Sequence, residues 1–432
     1  MPLLLHHLGR DAYGLYAALA AVAGYFGLLT FGATLTVPRY VADHAARGAR
    51  EALSDFVSTY LAAHMVVGAA GLLLGLAATP LLAAHLVVPA ALARLVAPAW
   101  RFVLAGWALG LAAGMFQSLL VGLGDVHLAK LADAARTVLN LAVAATVLWT
   151  GGGLERVLAG FGGAAAVSSA GLFILIRRRR PDIDIALRRA RLATLRLTLG
   201  PASYYFLMQV AALVVMGTDN IVIGAFVGVG AVAAYAIAFQ LWTMTLAVLW
   251  TGVDALQPFF TQWDATGDAQ RLRSAYLRAT RLSFAGAALS AVGMAWLGRA
   301  AIAVWVGRSL GVDQRLLVVF AAMLLTATPI HVAALALAAL GRHKAPALGG
   351  AVEAALNLGL SLALVRPLGV LGVAIGTLAS GAVTNAWIAP LAANRALGIR
   401  TREYLGRALL PACVPALVLA GVAVAVTLAR AT

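Results

Sequence analysis

The chain has 432 residues, of which 62% are hydrophobic and 11% charged, and it carries a net charge of +16. A soluble surface takes roughly a quarter to a third charged residues, so composition excludes a soluble globular protein and points to an all-α polytopic membrane protein. The positive charge alone could suggest nucleic acid, but topology accounts for it below and no nucleic-acid partner is needed. The lone cysteine, Cys413, and the absence of CxxC or clustered Cys/His of ligand spacing give no metal site and no cofactor.

In chain order, apolar runs predict twelve spans near 12–38, 58–88, 101–121, 128–149, 155–176, 200–227, 231–256, 280–306, 316–340, 346–366, 368–390 and 409–430. Each meets the need for about 20 apolar residues. The opening "MPLLLHHLGRD" lacks the basic start and apolar length of a signal peptide. The tightest joins, Gly228–Gly230 and Arg366–Pro367, leave room only for hairpin turns between neighbouring helices. The loops 39–57, 122–137, 177–198, 257–281, 341–345 and 391–408 hold 23 of the 32 basic residues, which places them in the cytoplasm and both termini outside. "RRRR" at 177–180 is part of that signal. The following "DIALRRARLATLRL" reads as an amphipathic helix along the inner leaflet of the cell (plasma) membrane.

The sequence repeats itself. "LGRDAYGLYA" matches "VGVGAVAAYA" at a shift of 219, pairing Gly9 with Gly228, Tyr16 with Tyr235 and, further on, Gly48 with Gly267. At a shift of 217, Gly124 pairs with Gly341, Asn140 with Asn357, Gly152 with Gly369 and Leu154 with Leu371. Both copies share one orientation, so the repeat is parallel, about an axis along the membrane normal. The helix at 200–227 has its counterpart upstream of Met1, with only "PLLLHHLG" present, so the first helix of the N-terminal bundle is expected to lie upstream or to be missing. The expected organisation is an N-terminal bundle at 1–180, a cytoplasmic amphipathic linker at 181–199, a C-terminal bundle at 200–395 and an additional span at 396–432.

Two stretches carry a resemblance. "TDNIVIGAFVGVGAVAAYAIAFQL" (218–241) resembles the second-half signature of polysaccharide and lipid-linked oligosaccharide flippases. "LGRDAYGLYAALAAVAGYFGLLTFGATLTVPRYVADHAARG" resembles the stretch after that family's first helix. The family belongs to the superfamily of multidrug and toxin extruders and the lipid II flippase. The resemblance implies two helical bundles facing a central cavity. It also implies export of a polyprenyl-diphosphate-linked glycan by alternating access, with H+ or Na+ as a coupling ion and other polysaccharide-assembly membrane proteins as partners.

A diphosphate-sugar headgroup needs a polar path through hydrocarbon, with Arg or Lys for phosphate, amides and tyrosines for sugars, and a carboxylate for a coupling cation. Asp219 is the leading candidate, because a charge at depth in a span faces a cavity or a partner; the alternative is a packing role. Asn220 lies about 100° round the helix from it, and Gly217 and Gly224 admit close helix approach. Asp254 and Gln257 sit near the inner end of the next span, and Arg39 after Pro38 holds nearly the same place in the first half. Arg136 with Glu353 and Asn140 with Asn357 fall at equivalent repeat positions, where the opposite charges suit a structural tie or a site. Gln209, Tyr235 and Gln240 are candidate sugar contacts and Gln117 a weaker one; His331 reads as a proton relay or a hydrogen-bonded packing residue. Arg278 and Arg281 read as snorkelling anchors, and Trp242, Trp250, Trp296 and Trp305 as packing and interface belts.

Two other readings compete. A cation-coupled multidrug extruder of the same superfamily calls for an acidic cluster in one half and a more apolar cavity. A membrane-embedded glycosyl- or acyltransferase calls for a sizeable loop with paired acids, and the longest loop here offers only Asp182 and Asp184 among arginines.

Overall fold

In hydrocarbon every backbone polar group needs an internal partner, so apolar spans fold as helices. The computed structural model describes residues 2–31, 33–199, 203–307 and 311–431, and among them no strand occurs. The expected start of the sixth span, 200–202, lies outside the described residues.

The helices run α1 (Pro2–Tyr25), a 3₁₀ turn (Phe26–Thr30), α2 (Ala33–Ala46), α3 (Arg50–Ala77), α4 (Thr79–His85), α5 (Ala90–Ala93), α6 (Val96–Gly122), α7 (Val126–Trp149) and α8 (Leu154–Arg179). A 3₁₀ turn (Leu187–Arg189) and α9 (Leu192–Leu199) lead to α10 (Ser203–Phe226), α11 (Val229–Asp254), α12 (Gln257–Ala265), α13 (Ala269–Val306) and α14 (Gln314–Ala339). The chain closes with α15 (Lys344–Val383), α16 (Asn385–Ala396), α17 (Thr401–Tyr404), a π turn (Leu405–Leu409) and α18 (Leu410–Ala431). Eleven helical stretches among the described residues are long and apolar enough to cross a membrane. One of them, Lys344–Ala396, folds back on itself. Gly369 breaks the helix at φ 58° and ψ −136°, and Asn357 reaches Thr377 in a 2.8 Å hydrogen bond. The turn expected at Arg366–Pro367 is therefore present, centred two residues later.

Two span boundaries differ from expectation. The second span starts at Arg50, eight residues early, and stops at Ala77, where Pro80 opens the short α4. The first span ends in the 3₁₀ turn, and Pro38 and Arg39 lie inside the separate helix α2.

The chain forms two compact units, one of Met1–Gln209 with Gly228–Gly230, the other of Val210–Val227 with Ala231–Thr432. The first packs around Phe56, Tyr60, Phe116 and Leu119, the second around Phe260, Tyr276, Val332 and Ala336. Left-handed glycines recur at matching places: Gly9 and Gly228, Gly48 and Gly267, Gly124 and Gly341, Gly151 and Gly369. At Gly124 the next amide, Asp125 N–H, bonds Leu120 C=O at 2.9 Å, and at Gly341 the Arg342 N–H bonds Leu337 C=O at 2.8 Å. These are the same glycine-closed helix end, a backbone conformation that only glycine adopts freely. The last pair slips by one residue from the expected Gly152, which is instead pressed 2.8 Å from Val147 O at its Cβ position.

The linker corrects the sequence reading. Only Leu192–Leu199 is α-helical, and the preceding residues form a strap laid on α3. The strap's amides of Asp184, Ala186 and Arg191 donate to Ser54 Oγ, Ser58 Oγ and Thr59 Oγ1 at 3.0, 3.1 and 2.9 Å. Arg189 bridges Asp184 at 2.7 Å and Asp55 at 3.1 Å. Ile183 is buried in the core of the first unit. Side-chain hydroxyls at helical spacing thus replace the helix's own hydrogen bonds, and the Arg–Leu alternation that suggests one helix is divided between this pinned strap, with its 3₁₀ turn, and α9.

Candidate functional site

The second unit brings three of the expected residues together. On α10, Ala211 and Val215 cluster with Ala354 of α15, and the Cβ position of Gly350 lies 3.3 Å from Ala211. This small-residue contact seats α10 closely. One turn on, Asp219 is 1% exposed. Its Oδ2 accepts from the hydroxyl of Tyr235 on α11 and, at 2.8 Å, from Thr377 Oγ1 on the second arm of α15. Thr377 in turn accepts from Asn357 Nδ2 at 2.8 Å on the first arm. The arms close tightly because Gly376 faces Ser361, whose N would stand 2.9 Å from a Cβ at that position.

The chemistry is that of an oxygen cluster. Asp219 Oδ1 and Asn357 Oδ1 are buried and meet no hydrogen-bond donor among the described residues, as is also true of Asn220 Oδ1. Ser361 and Val373, facing each other across the hairpin at 3.5 Å, add a hydroxyl and a carbonyl beside Thr377. A buried acceptor left without a donor costs about 1–3 kcal/mol, and this cluster holds two such oxygens, one on each side chain that bonds Thr377. Tyr235 is walled in by Phe239 and Phe320, at ring distances of 6.1 and 5.3 Å, and Trp242 is fully buried beside them.

A second cluster joins two residues that the sequence left apart. Asp254, at the end of α11, accepts at Oδ1 from His331 Nε2 at 2.7 Å. The His331 ring stacks on Trp250 with centroids 4.0 Å apart and planes 8° from parallel. Trp250 is thus more than an interface residue. Gln257 is exposed at the start of α12, and Gln240 is half-buried on α11. Gln209 is half-buried, and its Oε1 meets no donor among the described residues. Glu353 accepts from Asn385.

In the first unit Arg39 is exposed on α2. Gln117 Nε2 donates to Asp133 Oδ1 at 2.8 Å, and Arg136 stands 3.7 Å from the same oxygen. Arg136 and Asn140 line a cavity of about 600 Å³ together with Tyr16 and Trp107. Thr377 and Asp133 are the partners that sequence reasoning missed. A Thr within an apolar helix commonly bonds its own backbone, so nothing in the sequence separates Thr377 from its neighbours.

The fold and the buried acid define a multi-pass α-helical membrane protein. More particularly, the chain belongs to the polysaccharide biosynthesis protein family, which matches residues 1–263. It is similar to the membrane protein EpsK of Bacillus subtilis strain 168, at 24% identity over 417 residues, covering 94% of this chain and 81% of EpsK. Its fold is similar to that of the lipid II flippase MurJ in an inward closed conformation, with TM-score 0.76, 14% identity and coverage of 98% and 89%. It is also similar to an inward-facing multidrug resistance MATE family transporter of the MOP superfamily, with TM-score 0.75, 17% identity and coverage of 92% and 97%.

Proposed function

We propose that the protein is a membrane transporter of the flippase type that moves polyprenyl-diphosphate-linked oligosaccharide or polysaccharide repeat units from the inner to the outer leaflet by alternating access. The observation that carries this is membership of the polysaccharide biosynthesis family on a fold shared with a lipid II flippase. The oxygen cluster around Asp219 supports cation coupling. Protonation, or binding of Na+, at Asp219 Oδ1 and Asn357 Oδ1 gives the buried oxygens their missing partner and neutralises a charge that is costly at depth. Release of that ion on the other side of the membrane returns the demand and drives the cycle. Arg39 and Arg136 are the basic groups suited to the diphosphate, and Gln209 and Gln240 to sugars. The glycan and the polysaccharide-assembly partners follow from the family alone.

The extruder reading draws on the MATE likeness, and the enzyme reading loses its two loop acids. Asp182 is held by Arg180 at 2.9 Å and Asp184 by Arg189 at 2.7 Å, where they pin the strap. The test is complementation of a bacterium deleted for its own repeat-unit flippase. Surface polysaccharide should return and the intracellular pool of lipid-linked repeat units should fall. Restored efflux of cationic dyes without surface glycan would transfer the assignment to an extruder.

A further inference from the structure

Glu353 lies within a span, half-buried on the first arm of α15, and the coupling scheme above gives it no part. Its carboxylate is bonded by Asn385, and among the described residues no cation neutralises it. An acid at such a place faces a partner or a polar passage.

The two arms of α15 supply a passage in rungs four residues apart, a spacing that keeps one helix face. In the first rung Asn357 meets Thr377, which bonds Asp219. In the second, Glu353 faces Gly381, where a Cβ would stand 3.1 Å from Glu353 Oε1. In the third, Gly349 faces Asn385 at the start of α16, and a Cβ there would stand 3.0 Å from Asn385 Oδ1. Each lower rung thus sets a side-chain oxygen in the room that a glycine leaves.

The oxygens repeat the chemistry of the upper cluster. Asn385 donates to Glu353 through Nδ2, while its Oδ1 is buried and meets no donor among the described residues. A carboxylate with a donor-free amide oxygen is the pair that Asp219 and Asn357 make, and on α15 the two acidic rungs are about 6 Å apart. Buried Ser380 and Thr384 run alongside on the second arm. The first arm starts at Lys344, in the loop 341–345 whose charge places it in the cytoplasm. The lower rungs therefore lie between Asp219 and the cytoplasm.

We propose that Glu353 and Asn385 form a second, inner station for the coupling cation, which moves between it and Asp219 along the inside of the α15 hairpin. This rests on the coupling reading above.

The experiment records charge displacement in vesicles holding the full chain after a jump in Na+ at fixed pH, and after a jump in H+ without Na+. The wild type should give a saturating displacement with one of these cations, and Asp219→Asn should abolish it. Glu353→Gln keeps an acceptor for Asn385 and removes only the charge. It should slow the displacement about tenfold while the half-saturating concentration stays within about twofold. Glu353→Asp should restore most of the rate. Gly381→Ala, which crowds Glu353 Oε1 and leaves every charge in place, should slow it in the same way. A rate unchanged in both Glu353→Gln and Gly381→Ala, beside a displacement that still needs Asp219, would overturn the inner station alone. A wild type silent to both cations would overturn the coupling reading and the station with it.

Discussion

Asp219 and Asp254 are two acids of the same unit, 35 residues apart in sequence, and their surroundings differ in every respect that matters to charge. Asp219 is 1% exposed and bonded to two hydroxyls. The Asp254 side chain is 54% exposed and bonded to an imidazole. Hydroxyls can share a hydrogen with a carboxylate but cannot neutralise it, and the coupling ion proposed above would supply the charge that Tyr235 and Thr377 do not. Asp254 instead shares its oxygen with the His331 ring, outside the enclosed core. The lesson is that an acid's use in a membrane protein depends on who its neighbours are, and depth alone does not assign it.

The largest expected effect comes from removing the enclosed charge. Asp219→Asn keeps shape and volume, and is expected to reduce glycan export to background while the protein reaches the membrane in normal amount. Immunoblotting of membranes beside surface-glycan staining reads both. An equal fall in protein level would make Asp219 a packing residue and dissolve the contrast with Asp254. Next come the hydroxyls. Tyr235→Phe or Thr377→Val removes a hydrogen bond to a charged group, worth about 1.5–3 kcal/mol, and each is expected to weaken the apparent affinity for the coupling ion about tenfold. Transport rate measured against ion concentration gives that affinity; a change in maximal rate alone would argue against an ion at this cluster.

The open pair should matter far less. Partly exposed ion pairs contribute about 0–1 kcal/mol, so Asp254→Asn and His331→Gln should each change transport less than about threefold at neutral pH. Their double mutant should show a coupling of about 0.5 kcal/mol. Large, non-additive losses would put Asp254 on the ion's route and erase the distinction between the two acids.

The legible part of this protein was whatever repeats or accumulates. Apolar runs mark the helices because each must fill a bilayer, and Gly48, Gly124, Gly267 and Gly341 mark their ends because the backbone there is left-handed. Asp219 stood out as an acid in oil, and Asn357 through its twin Asn140. What stayed hidden depends on distance in three dimensions. Thr377 meets Asp219 across 158 residues, and His331 meets Asp254 across 77. The strap misled for another reason. Its partners, Ser54, Ser58 and Thr59, lie at helical spacing on a different element, and periodicity within 181–199 says nothing about them.

That strap gives the smallest expected effect and one that pH can read. Ser54 and Ser58 are buried and accept from the amides of Asp184 and Ala186. Ser54→Ala or Ser58→Ala leaves one amide without its acceptor, so hydrogen exchange there should quicken by about tenfold with little change in transport. The ion pairs add a second handle. Arg180 holds the Asp182 carboxyl below its usual range, and Arg189 does the same for Asp184. A carboxyl whose folded pKa is depressed stabilises the fold above its unfolded value, near pH 4, and that contribution disappears as pH falls through the folded pKa. Exchange of the strap amides, corrected for intrinsic rate, should therefore be steady from pH 7 to about 5 and rise below about 4. Arg189→Gln should raise it at neutral pH and weaken the acid response, since Asp184 then loses the larger of its two arginine partners and keeps Arg188. An unchanged profile in that variant would mean that the serine and threonine hydroxyls, with the Arg191–Asp55 pair at 3.0 Å, hold the strap on α3 without Arg189.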